Sequence, residues 1–93
     1  MLKVKIKNIE FNSPIIAASG TFGYGDEFSD FVDLKKIGCI ITKSITLEPR
    51  IGNKSSRIHE SNSGMINSIG LANVGVEKFC STKIPSLNKI DSK

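Results

Sequence analysis

Two short apolar segments, each followed by polar or glycine-rich sequence, limit the folds open to this chain. Residues 15–18 (IIAA) end at Ser19-Gly20, and residues 39–42 (CIIT) end at Lys43. Short apolar runs bounded in this way are typical of buried strands in a parallel sheet that is covered on both faces. The 20 intervening residues, 19–38, leave room for a crossover connection. The pattern therefore predicts a strand–helix–strand unit of the α/β class, with parallel strands and a right-handed crossover.

The connection between these strands should contain a short helix over residues 26–32. Phe28, Phe31 and Val32 fall at helical spacing, and Asp26 is suited to be the N-cap. The glycine-rich residues 20–25 lack the lysine and hydroxyl ending of a phosphate-binding loop and do not match the spacing of the dinucleotide-binding motif. We interpret them as a structural connector.

Three further segments complete the expected architecture. Residues 1–13 should form a β-hairpin, because two alternating runs flank Lys7-Asn8. Residues 14–85 should hold two βα units, the second helix carrying Val76, Phe79 and Cys80 on one face and ending at Pro85. Residues 86–93 are polar and are expected to be a frayed tail.

A long polar segment, residues 44–73, separates the second strand from the second helix. A loop of this length within a compact domain is either functional or a sign that an element has been missed. Arg50 and Arg57 are expected to order it by pairing with Glu48 or Glu60.

Length and charge narrow the classes of function. Ninety-three residues cannot contain a complete (β/α)8 barrel, which needs about 250. No tryptophan is present, so the core should be small and its stability should depend on a partner, a cofactor or more chain. The net charge of +4 is spread from Lys3 to Lys93, which argues against nucleic-acid binding, although a weak basic RNA-binding module stays open.

Membrane and metal functions are also not expected. The longest apolar run is far shorter than the roughly 18 residues that span a bilayer, and the amino-terminal residues lack a signal-peptide core, so a cytoplasmic location is expected. Cys39 and Cys80 should be reduced, partly buried thiols. His59 has no partner at the spacing of a metal site or a catalytic triad.

The candidate site lies after the carboxyl ends of both strands, where parallel α/β folds bind ligands. Lys43 is either a cation at the mouth of a pocket, with Ser44 and Thr46 as hydroxyl donors beside it, or a lysine at the protein surface. Ser19-Gly20 either approaches a flat ligand or makes a tight turn. Residues 67–73 (NSIGLAN) either recognise a planar amide or imide, or use their asparagines to cap turns.

Three motifs in order carry a resemblance to a known family. Residues 18–25 (ASGTFGYG), 43–53 (KSITLEPRIGN) and 57–73, with RIHE at 57–60 and SGMINSIGLAN at 63–73, resemble class 1 dihydroorotate dehydrogenases. The resemblance extends to about Glu77. The residues at 46–50 (TLEPR), with Ile69 before Gly70, resemble the NAD-linked 1B subclass.

The resemblance implies an FMN-containing (β/α)8 barrel that oxidises dihydroorotate to orotate in de novo pyrimidine biosynthesis. This chain would be its N-terminal part, with the hairpin and the first two βα units. The resemblance implies that flavin is contacted by residues after the two strands, namely Ala18, Ser19, Gly20, Lys43 and Ser44. It implies that the substrate is contacted by Lys43, Asn67, Ser68, Ile69, Gly70 and Leu71. It implies that the catalytic base, a cysteine on a later loop, is neither Cys39 nor Cys80, so no catalytic residue is expected in this chain.

The same resemblance implies partners and leaves alternatives. A homodimer and an electron-transfer subunit that carries FAD and a [2Fe–2S] cluster are expected, and the 93-residue chain alone should be inactive. Ser56 and Val74 stand where the family usually has proline. A dihydropyrimidine dehydrogenase-like fragment and a non-catalytic remnant without flavin are the alternative interpretations.

Overall fold

The computed structural model describes residues 2–90, which form an α/β arrangement of short elements. Within this range there are three two-stranded sheets and no closed barrel. The strands are β1 (Val4–Ile6), β2 (Ile9–Phe11), β3 (Ile16–Ala17), β4 (Cys39–Ile40), β5 (Ile58–Ser61) and β6 (Gly64–Asn67). Near the end of the described chain, α1 (Val76–Lys78), a π-helical turn (Phe79–Lys83) and α2 (Ile84–Leu87) follow one another without a break.

The amino-terminal hairpin is confirmed. Strands β1 and β2 are antiparallel, with Val4 opposite Phe11 and Ile6 opposite Ile9. Lys7 takes a positive φ of 52° in the tight connection between them. The alternating sequence therefore predicted both the pairing and the position of the turn.

The parallel pair at the centre of the prediction is also present, but it is shorter and more exposed than expected. Ile16 lies opposite Cys39 and Ala17 opposite Ile40. The prediction that these segments are buried is wrong for several side chains, because Ile15 is 62% exposed and Ile41 is 50% exposed. Nothing in residues 2–90 covers them, as a sheet with parallel strands normally requires.

The predicted helix over residues 26–32 is wrong. Its place is taken by two 3-10 turns, Asp26–Phe28 and Leu34–Lys36. Asp26 is the first residue of its turn and does not cap it, because Gly25 occupies the N-cap position and makes no side-chain cap. Phe28 stacks on Phe22, but Phe31 is 84% exposed and Val32 is 39% exposed, so the predicted apolar face is not buried as a unit.

The small core is built around the connection and the carboxyl-terminal helical segment. Tyr24, Leu34 and Ile37 are its buried hydrophobic residues within the described chain. The ring centres of Tyr24 and Phe79 are 6.0 Å apart. Pro85 lies in the first turn of α2, which continues to Leu87, so the prediction that Pro85 ends the second helix is wrong. A proline is tolerated there because a residue in the first turn of a helix needs no backbone N–H.

Two details of the carboxyl-terminal region bear on the earlier predictions. Cys80 is exposed, so the prediction of a partly buried thiol is wrong there, whereas Cys39 is half-buried. The predicted tail, residues 86–93, extends outside the described residues, and Ser86 and Leu87 within it are helical. No helix in residues 2–90 has both the length and the apolar character needed to cross a bilayer.

For residues 44–73, the alternative that an element has been missed is confirmed. Strands β5 and β6 form an antiparallel hairpin in which Ile58 lies opposite Asn67 and Ser61 opposite Gly64. Every residue of both strands is exposed. The missed element is short and has no buried apolar face, which is the signal that identifies most strands.

Candidate functional site

A cleft of about 640 Å3 separates the carboxyl ends of β3 and β4 from the segment that contains the exposed hairpin. Its volume is in the range usual for small-molecule sites. The side nearer the strands comprises Ser19, Gly20, Gly23, Lys43 and Ser44, and the opposite side comprises Asn53, Arg57, Asn67, Ser68, Ile69, Gly70, Leu71 and Ala72. Every residue predicted to contact flavin or substrate lies on one of these walls except Ala18.

Lys43 brings an ammonium group to this cleft. Its backbone N–H donates to the Gly23 carbonyl at 3.2 Å, and its Nζ lies 5.6 Å from the centre of the Tyr24 ring. Within residues 2–90 no carboxylate forms an ion pair with Lys43. Lys83, by contrast, lies 3.5 Å from Asp26 Oδ1. The Lys43 charge is therefore available to an anionic ligand.

The opposite wall belongs to a folded segment, residues 50–73, that we call the arm. Its two ends pair through the backbone, since the N–H groups of Arg50 and Asn73 each donate to the other residue's carbonyl. Further along, the Asn53 N–H donates to Ile69 O at 2.9 Å. The Ser68 N–H donates to the Arg57 carbonyl at 2.7 Å. This ladder fixes residues 67–72 beside the cleft.

The two arginines of the arm bind backbone carbonyls. Arg57 donates from Nε to Asn53 O at 2.7 Å and from Nη2 to Ile51 O at 2.8 Å. Arg50 Nε donates to Gly70 O at 3.4 Å. The prediction that they pair with Glu48 or Glu60 is wrong, because the inward-facing carbonyls of the arm lie closer to the guanidinium groups.

The two asparagines of residues 67–73 have different roles. Asn67 lines the cleft, where its amide can donate and accept. Asn73 is buried: its Oδ1 accepts from the Thr46 and Gly75 N–H groups, and its Nδ2 donates to Leu71 O and Thr46 Oγ1. For Asn73 the alternative of a turn-capping residue is therefore confirmed. Thr46 is committed to this network and does not line the cleft.

Sequence reasoning missed four residues of the walls: Gly23, Asn53, Arg57 and Ala72. Asn53 is the most informative of them, because its Nδ2 donates to Ser68 Oγ at 2.8 Å and to Ser68 O at 3.1 Å. Their signal was weak, since Gly23 was interpreted as part of a structural connector, Arg57 as the partner of a carboxylate, and Ala72 has no polar side chain. Asn53, Arg57 and Ala72 lie at the cleft because the arm folds back on itself.

Gly70 allows the two sides of the arm to approach each other closely. Its φ is +78°, and a Cβ at this position would stand 2.7 Å from the Asn53 backbone nitrogen. A side chain here would therefore collide with backbone and would also strain the main chain.

Charge outside the cleft is concentrated near the helical segment. Burial raises the pKa of Asp26, but hydrogen bonds with Glu27 and Ser86 and the positive charge of Lys83 outweigh it, so the pKa of Asp26 is lowered. Within residues 2–90, no group of three or more histidine, cysteine or acidic side chains is arranged to hold a metal ion. His59 is exposed on β5.

Comparisons with known proteins identify the family to which this chain belongs. The sequence model of the family described as Dihydroorotate dehydrogenase matches residues 1–93. The chain is 52% identical over 91 residues to a protein from Geotalea daltonii that is named Dihydroorotate dehydrogenase B (NAD(+)), catalytic subunit. The matched region covers 98% of this chain and 30% of that protein. Proteins of the same name from Thermodesulfovibrio yellowstonii and Pelobacter propionicus are 51% and 48% identical, over 99% and 98% of this chain and 30% of each relative. The chain thus spans about 30% of the length of these curated relatives, and it belongs to the dihydroorotate dehydrogenase family.

Proposed function

We propose that this chain forms the N-terminal part of an NAD-linked, 1B-type dihydroorotate dehydrogenase and supplies flavin and orotate contacts for the oxidation of dihydroorotate to orotate in pyrimidine biosynthesis. The observation that carries this proposal is the cleft, which both Lys43 and Asn67 line and in which Lys43 has no carboxylate partner within residues 2–90. In the complete (β/α)8 barrel, β3 and β4 would be the first two barrel strands.

The strand-end wall fits one edge of FMN. A Cβ on Gly20 would meet no atom within 4 Å, so this backbone faces open space in which a flat ring can approach. Ser19 and Ser44 offer hydroxyl groups, and Lys43 offers a positive charge for a flavin carbonyl. When bound, FMN supplies the hydride acceptor. Ala18 does not line the cleft, so its predicted flavin contact would have to be through the backbone next to Ser19.

The arm wall fits a planar, anionic pyrimidine. Asn67 can pair with the donor and acceptor groups along the pyrimidine edge, and Lys43 can bind the carboxylate. Ser68, Ile69, Gly70 and Leu71 continue this wall. These residues bind and orient the substrate, and a base from the remainder of the subunit removes the proton.

The described residues also support the proposal that activity requires more chain. Beside the parallel strands, Ile15 is 62% exposed and Ile41 is 50% exposed. Few apolar side chains of the described residues are buried. Burying such surface is a large favourable term in folding. We infer that the complete enzyme is cytoplasmic and acts as a homodimer with an electron-transfer subunit that holds FAD and a [2Fe–2S] cluster. Nucleic-acid and membrane partners are not part of the proposal.

A hybrid subunit tests the function directly. This chain would replace the 91 residues that it matches in the Geotalea daltonii catalytic subunit, and oxidation of dihydroorotate would be followed with an artificial electron acceptor. We expect turnover and binding of orotate in preference to uracil. A folded, flavin-containing hybrid that does not oxidise dihydroorotate would contradict the proposal. Preference for uracil would favour the dihydropyrimidine dehydrogenase-like alternative.

A further inference from the structure

Tyr24 is a buried residue that the proposed chemistry does not use. It lies in the connection after β3, is 5% exposed and is not part of either wall of the cleft. It nevertheless contacts residues next to both walls. Its ring lies near Lys43 on the strand side of the cleft, and its hydroxyl group contacts Val74 at the end of the arm.

The aromatic ring of Tyr24 is associated with the cation of the cleft. The Lys43 Nζ lies 5.6 Å from the ring centre, within the distance at which a cation is attracted to an aromatic face. The neighbouring Gly23 carbonyl accepts the Lys43 backbone N–H at 3.2 Å. Residues 23 and 24 therefore hold both the main chain and the charged end of Lys43.

The hydroxyl group of Tyr24 is associated with the end of the arm. Its Oη accepts a hydrogen bond from the Val74 N–H at 3.0 Å. Val74 directly follows Asn73, which closes the arm against Arg50. A proline at position 74 has no N–H to donate, so this bond depends on the residue that this chain carries there.

We propose that Tyr24 is a positioning residue that sets the distance between Lys43 and the arm, and thereby the affinity of the cleft for a planar heterocyclic carboxylate. This inference rests on the proposed function, because it concerns the same cleft. Tyr24 acts through Lys43 and Val74 without touching the ligand. The Tyr24 ring also lies near Phe79, with ring centres 6.0 Å apart, and near the Lys83 ammonium, which is 4.8 Å from the ring centre.

The hydroxyl contact is tested by Tyr24→Phe and Val74→Pro in the hybrid subunit, with orotate affinity measured by calorimetry. Y24F keeps the ring beside Lys43 but removes the acceptor for Val74. We expect orotate to bind about 3- to 10-fold more weakly, in line with the loss of one buried hydrogen bond. In the V74P background the donor is already absent, so Y24F should change the affinity less than about twofold.

The ring contact is tested by Tyr24→Leu with and without Lys43→Met. If the ring positions the Lys43 charge, Y24L should weaken orotate binding about tenfold or more in the parent hybrid and much less in the K43M background. A purely structural role would give the same loss of affinity in both backgrounds. Phe28→Leu is the matched control, since Phe28 is an aromatic residue of the same connection whose ring stacks on Phe22, with ring centres 4.5 Å apart.

The outcomes separate this inference from the proposed function. A parent hybrid that binds no orotate contradicts the proposed function itself. A parent hybrid that binds orotate, but whose affinity is unchanged in Y24F, overturns the positioning role of the hydroxyl group. The positioning role is also overturned if Y24F weakens orotate binding equally in the parent hybrid and in the V74P background. Because Y24F removes only one hydroxyl group, its comparison with the parent hybrid remains decisive if Y24L fails to fold.

Discussion

The backbones of Arg50 and Asn73 bind each other in both directions, with N···O distances of 3.0 and 2.9 Å. These residues are 23 positions apart, and their pairing converts the intervening chain into the closed arm. Because the Asn73 side chain also holds Thr46, the arm is fixed to the segment that follows Lys43. The two walls of the cleft are therefore parts of one hydrogen-bonded unit.

Asn73→Ala should destabilise the hybrid subunit by about 1–3 kcal/mol, because the buried Gly75 N–H and the part-buried backbone groups of Thr46 and Leu71 lose their partner. The measurement is urea unfolding followed by circular dichroism. Asn62→Ala is the control, since Asn62 lies exposed in the turn between β5 and β6. Equal stability of the two variants would show that the Asn73 network does not hold the arm.

Gly70→Ala should lower both stability and orotate affinity. The new Cβ would stand 2.7 Å from the Asn53 nitrogen, on a backbone with φ of +78°, and such strain costs about 1–3 kcal/mol. The comparison is Gly64→Ala, where the nearest atom would be Ser61 Oγ at 3.8 Å. Thermal melting and orotate titration of both variants give the answer, and a G70A variant that behaves like G64A would refute the close approach.

Lys43→Ala should leave the fold intact and reduce dihydroorotate turnover at least about tenfold, which corresponds to about 1.4 kcal/mol of lost transition-state stabilisation. Loss of the positive charge should also weaken flavin or orotate binding. Lys35→Ala, an exposed lysine in the second 3-10 turn, is the control. Kinetics of K43A that match those of K35A would identify Lys43 as an ordinary surface lysine.

Asn67→Ala should weaken orotate binding by about 1–3 kcal/mol, the cost of leaving a buried polar group of the ligand without its partner. Calorimetric titration of orotate measures it directly. The N62A variant again serves as the matched control on the same arm. An unchanged dissociation constant in N67A would remove Asn67 from the substrate wall.

Acid should weaken the contact between Asp26 and the helical segment. The pKa of Asp26 is lowered in the folded chain, so its ionised form stabilises the fold at neutral pH. That stabilisation is lost as the pH falls below the ordinary value of about 3.9 and through the lower folded pKa. The stability difference between the parent hybrid and Asp26→Asn should therefore shrink from pH 6 to pH 3, measured by urea unfolding. A D26N stability difference that stays constant from pH 6 to pH 3 would contradict the linkage.

The sequence predicted the elements whose partners lie close by or whose pattern is unambiguous. The first hairpin follows from alternation around Lys7, and the parallel pairing of Ile16 with Cys39 follows from two apolar runs and their spacing. The strand-end wall of the cleft follows from the polar residues that come directly after those strands, among them Lys43. For Asn67 the residues alone left turn capping open, and its assignment as a substrate contact came from the family resemblance.

Other features depend on contacts that the sequence does not encode locally. The apolar face expected for a helix over residues 26–32 is only partly covered in the described chain, where Phe31 is exposed and a 3-10 turn forms at Asp26–Phe28. Arg57 selects carbonyls of Ile51 and Asn53 because the arm folds around it, and a count of nearby carboxylates cannot show this. Asn53 joins the cleft for the same reason.

The most direct test of the central claim is an orotate titration of the flavin-containing hybrid, followed through the flavin absorption spectrum. If the cleft of this chain holds orotate beside the flavin, orotate should cause a saturable spectral change whose midpoint moves to higher concentration in both K43A and N67A. A flavin spectrum that does not respond to orotate, or one whose midpoint is the same in the parent and both variants, would contradict the assignment of this cleft.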